Sequence, residues 1–85
     1  MKEVARELML RHLTVDEALF RLDQYLNDAF MAGLPSVHII HGKGTGTLRM
    51  SVHEALAKPP LVKSFHLADY GEGDYGVTVV ELASH

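Results

Sequence analysis

Ser36-Val37-His38-Ile39-Ile40-His41-Gly42-Lys43-Gly44-Thr45-Gly46 decides how this chain is read. Its first five residues are β-branched and apolar enough for a largely buried strand. The strand runs into three alternating glycines, and an amphipathic pattern of Leu48, Val52, Ala55 and Leu56 starts immediately afterwards. A strand, a glycine turn and a helix in that order form the core of a crossover unit.

Upstream, Thr14-Val15-Asp16-Glu17 has the form of a capping box, with two acids suited to the positive end of a helix dipole. Val15, Leu19, Leu22, Leu26, Ala29 and Phe30 then recur at helical spacing, with Arg21, Asp23, Gln24 and Asp28 on the polar face. Gly33 and Pro35 end this helix near Ala32. Before it, Leu8-Met9-Leu10-Arg11 suits a short buried strand, and residues 1–6 are read as a linker or lead-in to a domain spanning 7–85.

Downstream, Pro59 and Pro60 close the second helix. Val62 to Leu67 alternates with period two, as a strand with one wetter face does. A polar, glycine-bearing loop over 68–75 follows, and Gly76 to Leu82 reads as a central strand buried on both faces. The order β-α-β-α-β-β implies a two-layer α/β sandwich, two helices over a four-stranded mixed sheet, with the last two strands antiparallel.

Composition narrows the function. The chain has 85 residues, 47% hydrophobic and 22% charged, which suits one small globular domain. No apolar run approaches the ~20 residues of a membrane helix, and the charged N-terminus lacks a signal-peptide core. The absence of cysteine removes disulfides and thiolate chemistry and fits a cytoplasmic setting. The net charge of −3 is uneven. Residues 1–28 carry four basic and six acidic side chains, and 69–85 carry none and four. Between them, 29–68 holds Lys43, Arg49, Lys58 and Lys63 against Glu54 alone, with four of the six histidines. A net acidic domain can still present a basic face.

The positive segment contains the glycine loop. Glycines let backbone N–H groups approach a ligand closely, and a helix N-terminus adds positive potential, so the loop suits a phosphate. Lys43 supplies charge, Thr45 a hydroxyl, and Arg49 a bidentate donor. Neither familiar phosphate motif fits: the P-loop lysine follows the last glycine, and the dinucleotide fingerprint needs G-x-G-x-x-G. A tight turn whose glycines only relieve strain is the competing reading. His41 ends its strand where the loop begins, and His12 and Arg11 end the first strand, so adjacent parallel strands bring all three to one sheet edge. His38 reads as a satisfied strand imidazole, His53 as a solvated helix-surface residue, His66 as opposite in facing to Phe65 and Leu67, and His85 as uninformative. No histidine pair at i, i+4 joins a carboxylate in a zinc pattern.

Three stretches, Leu8 to Ala18, Val37 to Gly46 and Gly71 to Val80, closely resemble the Smr (small MutS-related) domain in the version that ends bacterial MutS-II proteins. The resemblance implies a fold like the C-terminal domain of translation initiation factor three. It also implies nucleic-acid binding and DNA nicking with little sequence preference, in recombination control or DNA repair. The family's proposed active region joins a first-strand motif, Leu-Asp-x-(His or Arg)-Gly, to a His-Gly-x-Gly loop. Carried over by position, Arg11 takes the His/Arg place and the loop motif is intact from His41 to Gly46. Met9 stands where the family usually has Asp, and His12 where it usually has Gly. A thioether neither holds Mg²⁺ or Mn²⁺ as a carboxylate does nor acts as a general base.

On this resemblance His41, Arg11 and His12 are the catalytic candidates, His41 in acid/base work. Gly42, Lys43, Gly44, Thr45, Gly46 and Arg49 are the nucleic-acid-binding candidates, with the cations on the phosphoryl oxygens. Mg²⁺ or Mn²⁺ is the cofactor expected if the domain nicks, with no ligand assigned. Two readings follow. One is a nicking endonuclease acting on DNA, delivered by the ATPase region of a longer MutS-like chain. The other is a non-catalytic module docking DNA, RNA or the ribosome, favoured by Met9. Neither involves a membrane.

Overall fold

A computed structural model of the chain describes residues 4–42, 46–58, 60–68 and 76–84. The elements are β1 (Glu7–Met9), α1 (Val15–Met31), β2 (Ser36–Ile40), α2 (Thr47–Leu56), β3 (Val62–Leu67) and β4 (Val77–Leu82). The strands form one sheet in the order β1-β2-β4-β3, with β1 parallel to β2 and the other pairs antiparallel. The β-α-β-α-β-β order and the mixed four-stranded sheet agree with the sequence reading.

Local chemistry explains the boundaries of α1. Thr14 Oγ1 accepts from the Glu17 N–H at 3.2 Å, satisfying one of the helix's orphan donors. At the other end Gly33 has φ +76; its N–H donates to the Phe30 carbonyl and the Leu34 N–H to that of Ala29. This pairing is a Schellman closure, which needs a left-handed residue where glycine stands. Ala18, Leu22, Leu26 and Ala29 are the buried line of α1. Val15, Leu19 and Phe30 are half-buried at the margins of the stripe, so its centre lies nearer Ala18 than the apolar count alone suggested.

The core lies between the helices and one face of the sheet. Leu10, Val37, Ile39, Val80 and Leu82 from the sheet side meet Leu22, Leu26, Val52 and Leu56. On the opposite face Val77, Val79, Ala68 and Ile40 make a smaller cluster. Residues 77–80 are therefore buried throughout, as a central strand requires. Thr78 is fully buried and, by alternation, shares the helix-side face with Val80 and Leu82.

Two elements differ from the sequence reading. β1 is shorter and starts earlier than 8–11, although the Leu10 N–H still bonds the Ile40 carbonyl at 2.8 Å. In β3 a register shift between Val62 and Ser64 exposes Lys63 and Ser64 together, interrupting the alternation, and Ser64 Oγ donates to Glu81. Ahead of β1, Val4 packs on the core, the Arg6 carbonyl accepts from the His38 N–H, and the Tyr25 hydroxyl donates to the Ala5 carbonyl. No helix among the described residues is long and apolar enough to cross a membrane.

Candidate nucleic-acid interface

Parallel pairing of β1 with β2 sets the C-terminal ends of both strands on one edge, with Met9 opposite Ile40. Arg11 and His12 therefore stand beside His41 and Gly42. Gly42 has φ +84, and a Cβ there would lie 2.9 Å from both Cγ and Cδ of Arg11. The arginine stem thus lies against the start of the loop, in space that only a glycine leaves open. Gly46, at φ +90, caps α2 without a side-chain bond, and a Cβ on it would stand 3.0 Å from Arg49 Nη2. Two guanidinium-bearing side chains therefore bracket the loop, each over one of its flanking glycines. Lys43, Gly44 and Thr45 fall outside the described residues. Between the loop and the β1–α1 turn lies an open cleft of about 340 Å³, lined by Leu13, Thr14, Val15, Thr47, Leu48 and Arg49 among others. The first turns of both helices face it.

His41 turns inward and is only 4% exposed. Its Nε2 lies 2.8 Å from Thr78 Oγ1 and its Nδ1 3.0 Å from the Gly42 carbonyl. Its backbone N–H and that of Gly42 both donate to the Gly76 carbonyl at 3.0 Å. Burial lowers the His41 pKa below 6.5; the Gly42 bond opposes this and the charge of Arg49 adds to it. His53 Nε2 approaches the same Thr78 oxygen at 2.7 Å. Its pKa is also lowered, by burial first and then by His41 and Arg49. Both shifts favour the neutral imidazole.

His53 corrects the expectation of a solvated surface residue. Arg49, Val52, His53 and Leu56 follow i, i+3, i+4, i+7 and share the inward face of α2, so the ring turns to the sheet and packs on Phe65 at 5.1 Å. Thr78 was missed altogether. The available signal was a single hydroxyl inside Val77-Thr78-Val79-Val80, where a buried polar group must find a partner. His12 is exposed at φ +71, the only non-glycine residue with positive φ among those described. That conformation explains why glycine suits the position. Met9 is 51% exposed at the end of β1. His66 faces outward between half-buried Phe65 and Leu67, as the alternation required.

The Smr domain model matches residues 8–83. The chain belongs to the Smr domain family. The Smr domain is 55% identical over 82 residues to Endonuclease MutS2 of Pelotomaculum thermopropionicum, covering 96% of this chain and 10% of that protein. It thus spans about a tenth of the curated relatives it matches. The crystal structure of the Smr domain of Thermus thermophilus MutS2 superposes with a TM-score of 0.89 at 49% identity, covering 93% of this chain and 99% of that one. YdaL, a stand-alone small MutS-related protein from Escherichia coli, gives 0.85 at 28% identity over 91% of this chain and 63% of that one.

Among the described residues no three or more His, Cys, Asp or Glu side chains converge on one point. Mg²⁺ and Mn²⁺ favour several oxygen ligands, and the described part of this edge offers two arginines, the exposed His12 imidazole and two imidazoles bonded to a hydroxyl. These residues do not fit a hard divalent cation.

Proposed function

We propose that this Smr domain binds nucleic acid by its sugar–phosphate backbone at the β1–β2 edge, with little regard for sequence. One observation carries the reading: Arg11 and Arg49 bracket the glycine loop, each lying over one of its flanking glycines. Guanidinium groups take phosphate oxygens in a bidentate fork, and contacts to phosphate carry no base information. Lys43 and the loop N–H groups add to this grip. His41, neutral and held inside, anchors the loop rather than supplying charge. DNA is the ligand this reading favours, with RNA or a ribosomal site served by the same contacts.

The name Endonuclease MutS2 of the relatives favours a second reading, phosphodiester nicking in a longer MutS-like chain engaged in recombination or repair. Hydrolysis requires an activated water, stabilised phosphoryl oxygens and a protonated leaving group. Arg11, Arg49 and Lys43 suit the oxygens; His41 would have to release the Thr78 hydroxyl from Nε2 before it could take a proton, whereas His12 is exposed at the same edge. Met9 stands against this reading, because no carboxylate occupies the position where the family pattern has one.

A supercoiled-plasmid assay of wild type and Met9→Asp, each with and without Mn²⁺, separates the two. The binding reading expects no relaxation by wild type and a gain of nicked circles by Met9→Asp. Nicking by wild type that is lost in His41→Ala would establish the second reading instead.

A further inference from the structure

The buried contact between two imidazoles and one hydroxyl is not accounted for by phosphate binding. We infer that Thr78 and His53 are positioning residues of the glycine loop: a one-way hydrogen-bond chain locks the His41 ring and, through it, the first peptide of the loop. The chain runs from His53 Nε2–H to Thr78 Oγ1, from the Thr78 hydroxyl to His41 Nε2, and from His41 Nδ1–H to the Gly42 carbonyl.

Proton counting fixes the direction. A carbonyl only accepts, so the 3.0 Å contact to Gly42 requires the hydrogen on His41 Nδ1. A neutral imidazole has one N–H, which leaves His41 Nε2 as a lone pair in need of a donor. The Thr78 hydroxyl at 2.8 Å is that donor. Having spent its single hydrogen, Thr78 Oγ1 can only accept from His53 Nε2 at 2.7 Å, so His53 is the opposite tautomer. Reversing the chain would put a bare Nδ1 against the Gly42 oxygen, lone pair to lone pair. Burial favours the neutral form of both rings, and the Arg49 charge acts on each in the same sense.

The chain joins three elements through their side chains: α2 at His53, β4 at Thr78 and the loop at His41. The rings of His41 and His53 stand edge to face, with centroids 6.1 Å apart, and Phe65 braces the outer one. The Gly76 carbonyl holds the backbone N–H groups of His41 and Gly42 while this chain holds the ring and the Gly42 carbonyl, so the entrance of the loop is fixed from both sides. Thr78 touches no ligand; it acts through His41. The effect on affinity rests on the binding reading above, whereas the tautomers do not.

Long-range ¹H–¹⁵N spectra of the histidine rings at pH 7.5 test the lock directly. Wild type and Thr78→Ser should show His41 protonated at Nδ1 and bare at Nε2, and His53 the reverse. Thr78→Val, similar in shape but without the hydroxyl, should lose this fixed pair. In fluorescence anisotropy with a labelled oligonucleotide, Thr78→Val should bind roughly two- to tenfold more weakly, the range of one lost hydrogen bond, and Thr78→Ser should restore affinity. A wild-type His41 protonated at Nε2 would overturn the inference even if Thr78→Val failed to fold. Equal affinities for wild type and a folded Thr78→Val would overturn the positioning role. A wild-type chain that binds no oligonucleotide yet shows these tautomers would refute the binding reading and leave the lock standing.

Discussion

Substitution of Gly42 by alanine tests the geometry of the loop entrance with a single methyl group. The residue sits at φ +84, where an L side chain costs about 1–2 kcal/mol. Alanine also lowers the entropy of the unfolded chain, which returns ~0.4–1 kcal/mol. The added Cβ would lie 2.9 Å from Arg11 Cγ and Cδ, closer than carbon atoms tolerate. The arginine stem is flexible and exposed, so it swings away at little cost but leaves the loop. The net loss of stability is about 1 kcal/mol, or a fall in Tm of ~4–8 °C for a domain of this size. Gly33→Ala is the matched control: φ is +76, but nothing lies within 4 Å of its Cβ. Circular-dichroism melts should therefore show similar losses for the two variants, while oligonucleotide anisotropy shows weaker binding for Gly42→Ala alone. Unchanged Tm in Gly42→Ala, or equal loss of affinity in both variants, would refute the reasoning.

The pH dependence of stability has a definite sign. His41 and His53 titrate below 6.5 when folded, so the unfolded chain takes up their protons first as pH falls. Stability should hold above about pH 6.5 and decline below it; urea midpoints at pH 7.5 and 5.5 measure this, and equal midpoints would contradict it. His12→Gly relieves a left-handed non-glycine residue and should raise stability by about 0.5–1 kcal/mol after the entropic cost of glycine, seen as a higher urea midpoint. Leu22→Ala removes a fully buried side chain from the helix–sheet core and should cost ~2–5 kcal/mol, enough to unfold a large share of so small a domain in a thermal melt.

The fold was legible because its signals were local. Thr14 before an apolar stripe, Gly33 ahead of Pro35, and a glycine turn after β2 each act within a turn or two of chain; the structure places the Thr14 cap, and left-handed Gly33, Gly42 and Gly46, where these signals stand. The gathering of Arg11, His12 and His41 followed from parallel pairing alone. What the sequence concealed depends on contacts between distant elements. Thr78 reads as one more β-branched strand residue until β4 is set under α2, and His53 reads as polar surface until Arg49, Val52 and Leu56 show which side of α2 faces inward. The bulge in β3 was hidden for the same reason, since its cause lies in pairing with β4.

The most direct test of the phosphate grip is the salt dependence of affinity. Anisotropy titrations of wild type and the Arg11→Ala/Arg49→Ala double variant on duplexes of two unrelated sequences, across a range of salt, give the number of counterions released. The account predicts that the slope of log K against log salt becomes shallower by about two in the double variant, equally for both sequences. A slope unchanged by loss of both arginines would contradict it.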